Sequence, residues 1–228
     1  MEEEGNLINF TESNILPDIE MKNTSPYSAA LTGGGFLFKE TDALLPLLLS
    51  SDRKNLLKDE KENNRLLQIN AEKSRSKAIL EISRRFDTMT PAFWNDYMVM
   101  DEDDRRIALL FVILKTYKIC FDFHVNVTMK KWNSIEKMVK PSDLMIEFNN
   151  IACRDEFVDS WSDNTKDRVA SAYSSILRKA GMMDANGELN AVQPSNADYY
   201  LRIGEPWFLE ACLLAPYQIE NIKKQMKP

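Results

Sequence analysis

Small hydroxyls framed by cations recur along residues 165–183 (TKDRVASAYSSILRKAGMM), and their spacing suits contact with a phosphodiester backbone. Val169, Tyr173, Ile176, Leu177 and Ala180 fall at i, i+4, i+7, i+8 and i+11, which is one apolar stripe of a helix. Turned away from that stripe are Arg168, Ser171, Ser174, Ser175 and Arg178. A helix that enters a DNA major groove needs small residues for close approach, hydroxyls for phosphates or base edges, and arginine at its margins. Lys166, Arg168, Arg178 and Lys179 stand against Asp167 alone, a local net of +3, and Thr165 opens the segment. The candidate DNA contacts here are Thr165, Lys166, Arg168, Ser171, Ser174, Ser175, Arg178 and Lys179.

A second basic stretch holds Lys73, Arg75, Lys77, Arg84 and Arg85 against Glu81 alone, a local net of +4. The i, i+4, i+11 spacing puts Lys73, Lys77 and Arg84 on one helical face. That face reads either as a track for phosphates or as a solvated surface, paired or not with acidic residues elsewhere.

Other chemistry has less to stand on. His124 is the single histidine, sits between Phe123 and Val125, and has no nucleophile or carboxylate at motif spacing. Gly33–Gly35 lack the GxxxxGK[ST] frame of a phosphate loop, since Lys39 is followed by Glu40, so they read as a structural turn. Asp101–Asp104 are consecutive on a helix and cannot all face one ion. Asp143 and Glu147 lack the Glu-x-Lys element of a nuclease. Cys120, Cys153 and Cys212 are far apart in apolar contexts and read as buried small hydrophobes. The expectation is a protein that is not an enzyme, with no metal, no cofactor and no small-molecule substrate.

The basic helix needs elements to position it. Phe157, Val158 and Trp161 suggest a short helix before it, Ser162–Asn164 a polar turn, and Asn164 or Thr165 the N-cap. Gly181 is a natural helix stop, and Asn186–Gly187 is a hairpin signal with room for two short strands before Ile203. Together these predict a winged helix-turn-helix with a small β-hairpin over residues 141–228, opened by Pro141 and a Leu144, Phe148, Ile151 stripe. Glu205–Leu214 and Tyr217–Met226 read as closing helices. Residues 26–138 read as a helical domain centred on the apolar run Ile107–Cys120, so the fold class is mainly α. Within it Ile79, Ile82 and Phe86 mark a buried stripe, Thr90–Pro91 start a helix, and Asp42–Ser50 is interrupted by Pro46. His124–Lys137 stays ambiguous between strand and helix.

Composition fits this organisation. The 228 residues are 44% hydrophobic and 28% charged, an ordinary globular balance. The net charge of −6 is carried wholly by residues 1–20, where Glu2, Glu3, Glu4, Glu12, Asp18 and Glu20 meet no lysine or arginine. Residues 1–25 therefore read as a mobile acidic tail on a neutral body, which leaves local basic patches possible. The acidic start is unlike a signal peptide and no apolar run approaches the length of a span, so a cytoplasmic location with no membrane partner is expected.

Three landmarks carry a family resemblance. Residues 27–37 read YSAALTGGGFL; Lys73-Ser74-Arg75-Ser76 and Arg84-Arg85-Phe86 follow an asparagine-rich start at Asn64; Trp161, Thr165 and residues 176–181 (ILRKAG) close the pattern. In their order and spacing these resemble the BrxA family of bacteriophage exclusion (BREX) defence systems, over roughly Tyr27 to Leu214. The resemblance implies a small, non-catalytic, mainly helical component that accompanies a methyltransferase, an ATPase and a phosphatase-like protein. It also implies winged-helix architecture, double-stranded DNA as ligand and other BREX proteins as partners. The alternative is an assembly scaffold that docks a partner protein through Trp161, Tyr199, Tyr200 and Trp207, since aromatic anchors dominate such interfaces.

Overall fold

Helix start signals in the sequence coincide with the observed elements. The computed structural model describes residues 24–226. Thr90 caps α4 (Pro91–Val99) by accepting from the Phe93 N–H, and Pro91 occupies the first turn. Asp101 caps α5 (Glu102–Thr116) through the Asp104 N–H, and Glu102, Asp103 and Asp104 lie in the first turn against the positive end of the helix dipole. Ahead of them run α1 (Phe38–Leu48), α2 (Arg53–Asn63) and α3 (Glu72–Thr88). Contrary to expectation, α1 continues through Pro46. Proline costs one backbone bond, but Leu44, Leu45 and Leu48 are buried along the helix and hold it in place.

Every residue from Ile107 to Leu114 in α5 is buried, as expected for the central helix. The run does not continue unbroken to Cys120: Tyr117 is extended, and α6 (Lys118–Phe123) restarts beyond it. The ambiguous stretch is helical as far as Trp132, with one π-helical turn (His124–Thr128) passing into α7 (Met129–Trp132), and residues 133–137 form a turn and bend rather than a strand. Helices α8 (Pro141–Ala152), α9 (Glu156–Asp159) and α10 (Asp163–Lys179) follow, then α11 (Asp198–Arg202), α12 (Trp207–Ala211) and α13 (Pro216–Gln225).

Buried side chains are continuous across the division expected at residues 138–141. Phe111 of α5 meets Tyr200, Trp207 and Phe208, while Tyr173 of α10 packs edge-on against Phe123 of α6. The short 3-10 turn Ala30–Gly33 lies against both α3 and α10. The fold is mainly helical. In place of two strands before Ile203, the described residues show two isolated antiparallel bridges, Met183 with Leu189 and Met138 with Glu188. Part of the stretch expected to be strand is helix α11.

The glycine turn is held by a buried arginine. Arg85 is fully buried in α3 and donates to the Phe36 carbonyl at 2.8 Å, the Gly35 carbonyl at 2.5 Å and the Tyr117 hydroxyl at 3.2 Å. Tyr117 in turn donates to Glu81 at 2.6 Å, and Arg84 pairs with the same carboxylate at 2.8 Å. Gly35 takes φ of +60°, where only glycine is unstrained, so the Gly33–Gly35 run is a structural turn. No helix among the described residues is long and apolar enough to cross a membrane.

Candidate nucleic-acid interface

The most amphipathic of the basic segments becomes α10. Its N-cap is Ser162, not Asn164 or Thr165: the Ser162 hydroxyl accepts from the Thr165 N–H, so the helix begins earlier than its hydroxyl pattern suggests. Val169, Ala170, Tyr173, Ile176, Leu177 and Ala180 are buried, and the helix packs on α8. At the far end Gly181 has φ of +79°, the Met182 N–H bonds the Leu177 carbonyl at 2.9 Å, and the Gly181 N–H bonds that of Arg178 at 3.0 Å. This is a Schellman stop, which satisfies the last free carbonyls.

The outward face presents two stripes. Asp167, Ser171, Ser174 and Arg178 share one, and Arg168, Ser175 and Lys179 the next. Arg168, Ser171, Arg178 and Lys179 are exposed, and Thr165, Lys166, Ser174 and Ser175 half-buried. Among the arginines of the described residues, Arg168 and Arg178 are the two that make neither an ion pair, a side-chain hydrogen bond nor a ring contact. The others are engaged: Arg53 with Asp87, Arg65 with Asp59, Arg84 with Glu81, Arg105 with Asp42, Arg106 with Glu102, Arg154 with Asp122 and Glu147, Arg202 with Asp198, and Arg75 and Arg85 with backbone carbonyls. Lys166 and Lys179 also have no carboxylate within salt-bridge reach among the described residues.

A bridged turn stands beside this face. Asp184 accepts from the N–H groups of Asn186 and Glu188, both at 2.8 Å, and Gly187 takes φ of +92°. The Val139 N–H bonds the Gly187 carbonyl at 2.9 Å, and the Leu189 N–H bonds that of Lys137 at 2.8 Å. Residues 137–139, some fifty positions upstream, thus complete the pairing. A cleft of about 350 Å³ opens between the turn, the start of α8 and the first stripe of α10. Leu144, Met145 and Met183 supply its apolar lining, and Asp167, Ser171, Ser174 and Arg178 its polar edge. The turn offers only Asp184 and Glu188 as charges, so the positive potential comes from α10.

The second basic stretch is divided by its partners. Lys73 and Lys77 are exposed on α3. Arg75 and Arg85 are buried and do not face solvent, which corrects their expected place on a phosphate track: Arg75 donates to the carbonyls of Lys61 at 2.7 Å and Ile69 at 2.6 Å, and Arg85 holds the glycine turn. Arg84 is exposed but engaged by Glu81. A guanidinium bonded to several carbonyls has no donor fork left for a phosphate.

Other candidate groups are structural. His124 is fully buried, its Nε2 at 2.8 Å from the Ala211 carbonyl and its Nδ1 at 3.0 Å from the Tyr173 hydroxyl. Because a carbonyl only accepts, Nε2 carries the proton, Tyr173 donates to Nδ1, and Thr128 donates to Tyr173 at 2.7 Å. Burial holds the imidazole at a pKa of about 4. Asp143 caps α8 through the Lys140 N–H, and Glu147 accepts from Asn126 and Asn150. Cys120 and Cys212 are buried, with burial raising both thiols, while Cys153 is exposed against expectation. Trp161, Tyr199 and Tyr200 are buried and Trp207 is half-buried against Phe111 and Phe121, so these aromatics serve the core rather than a free docking surface.

Comparison with known proteins places this geometry among relatives. The BrxA family model matches residues 25–197. A BREX protein BrxA from Bacillus cereus (strain H3081.97) is 24% identical over 162 residues, 69% of this chain and 78% of that protein. A crystal structure of an uncharacterized protein from Magnetospirillum magneticum superposes with a TM-score of 0.71 at 21% identity, over 82% of this chain and 98% of the other, which shows a shared fold.

Proposed function

This chain belongs to the BrxA family, and from that premise we propose that it acts in phage defence as a non-catalytic, double-stranded-DNA-binding accessory subunit of a cytoplasmic BREX assembly. The order of a bridged segment at Met138, then α8, α9 and α10, then the bridged turn at 183–189 supports a winged helix-turn-helix reading with α10 as the recognition helix. The observation that carries the reading is the pair of arginines uncommitted among the described residues: every other arginine is held by a carboxylate or a carbonyl, and Arg168 and Arg178 face solvent on either side of Ser171, Ser174 and Ser175. Arginine at the margin of a helix lined with small hydroxyls fits phosphate contact with close backbone approach. Thr165, Lys166 and Lys179 extend the footprint, and Lys73 and Lys77 reach phosphates from α3. The other proteins of the BREX system are the expected protein partners.

The test is binding to a short duplex across a salt series, read by fluorescence anisotropy. Affinity should fall linearly in log–log salt, and Arg168→Ala with Arg178→Ala should weaken binding and flatten the slope by about two. A double variant that stays folded and binds with the parent's affinity and slope removes α10 from the interface. The scaffold reading keeps one observation in its favour: Met129, Trp132, Leu213, Leu214 and Ile219 line a second cleft of about 460 Å³ near the fully exposed Ile135. Recovery of BREX partners after nuclease treatment, with no duplex binding at low salt, would put that reading first.

A further inference from the structure

Residues 1–20 and the outward face of α10 are complementary in both charge and apolarity, and the chain between them is long enough to join them. We infer that this segment docks on the α10 face and its adjoining cleft, and that a duplex must displace it. The inference rests on the DNA reading only for the displaced ligand; the docking itself stands on the following three observations.

First, the whole net charge of −6 resides in residues 1–20, whereas Lys166, Arg168, Arg178 and Lys179 have no carboxylate partner among the described residues. The other arginines among the described residues are held by carboxylates or carbonyls, as in the Arg53–Asp87 and Arg105–Asp42 pairs, so Arg168 and Arg178 stand apart among the guanidinium groups. Second, the segment is acidic and apolar by turns: Leu7, Ile8 and Phe10 precede Glu12, and Ile15 and Leu16 precede Asp18, Ile19 and Glu20. The cleft offers an apolar floor for the segment's apolar residues in Leu144, Met145 and Met183, and its edge carries Arg178 and Asp167, so the charge attraction comes from Lys166, Arg168 and Lys179 beside it as well as from Arg178. Third, the chain enters the body beside this region. Ser25 donates to Asp155 at 2.9 Å, and Asp155 caps α9, the short helix that leads into α10. Tyr27 donates to Asp122 at 2.6 Å and fixes the next residue pair. Twenty extended residues reach up to roughly 70 Å, and the 17 residues of α10 span about 25 Å.

A tethered segment of this length works at an effective concentration in the millimolar range, so even weak docking competes with a dilute ligand. The competition is electrostatic and should fade as the Debye length shrinks from about 10 Å at 0.1 M salt.

The experiment places a nitroxide at Thr11→Cys in the full chain, with Cys153→Ser removing the exposed thiol, and reads amide signal loss by NMR. Docking predicts at least a twofold greater loss at residues 167–178 than along α13 at 50 mM salt. The difference should vanish at 0.5 M salt, and also when Glu2, Glu3, Glu4, Glu12 and Glu20 become Gln and Asp18 becomes Asn. Equal loss at both helices overturns the inference. In the second arm the neutralised chain should bind a short duplex about three- to tenfold more tightly than the parent at low salt, and added duplex should restore the α10 signals. Selective loss at α10 without duplex binding by either chain retains the docking and refutes the DNA reading. Duplex binding with equal loss at both helices does the reverse.

Discussion

Lowering the pH from 7 to 5 should destabilise this fold by about 2 kcal/mol through one side chain. His124 is the single histidine of the chain and is fully buried, with its pKa held near 4 by desolvation, against 6.5 for a free imidazole. The unfolded chain binds a proton below about 6.5, and the folded chain binds it only near 4. Between those values the unfolded state holds more protons, so stability is full above pH 6.5 and falls as the pH drops toward 4. The slope approaches 1.4 kcal/mol per pH unit, and the loss approaches about 3 kcal/mol at the lower limit. Protonation would also set an N–H of Nδ1 against the Tyr173 hydroxyl, reversing the donor order of the Thr128–Tyr173–His124 chain. Urea unfolding at pH 7, 6 and 5 measures the effect, with His124→Gln as reference, because glutamine has the same donor and acceptor and does not titrate. The parent should lose about 2 kcal/mol relative to His124→Gln between pH 7 and 5. Parallel curves for the two proteins would refute the reasoning, since no other histidine is present to mask the difference.

Two further outcomes follow from the same packing. Arg85→Met should cost about 3 kcal/mol, because it strips the Gly35 and Phe36 carbonyls and the Tyr117 hydroxyl of a buried charged donor; in denaturant titrations a cost under 1 kcal/mol would contradict the assigned role, and where the variant is folded its duplex salt slope should equal the parent's. Gly187→Ala should cost about 2 kcal/mol, since φ is +92° and a Cβ would meet the Val139 carbonyl oxygen at 2.7 Å; an unchanged melting temperature would show that the turn relaxes freely.

What the sequence made readable was periodic or local. Eight consecutive apolar residues from Ile107 to Leu114, flanked by Asp101–Asp104 and Lys115, can only be a central helix in a chain of this size. The stripe from Val169 to Ala180 and the stop at Gly181 fixed which face of α10 turns outward, so the exposure of Arg168 and Arg178 followed from spacing. The partners of charged groups did not. Arg85 and Arg178 look alike in a charge count, but one is claimed by carbonyls about fifty residues upstream and the other by no group among the described residues. Arg75 was lost to a phosphate track for the same reason. The bridged turn was signalled by Asn186–Gly187, yet its third segment lies at residues 137–139, beyond the reach of any local pattern. Pro46 misled because the breaker rule weighs one lost hydrogen bond and not the three buried leucines around it.

The turn at Ala30–Gly33 has a consequence for how the chain is made. Leu31 is fully buried, and the turn rests on α3 and on α10; Ser25 reaches across 130 residues to Asp155. These residues leave the ribosome early, but α10 emerges only after α1 to α9. At 5–20 residues per second the wait is on the order of ten seconds. During it Leu31 has α3 to rest on but no α10 to cover it. The first described segment of the protein is thus among the last to be sealed, and α10 is the element that seals it.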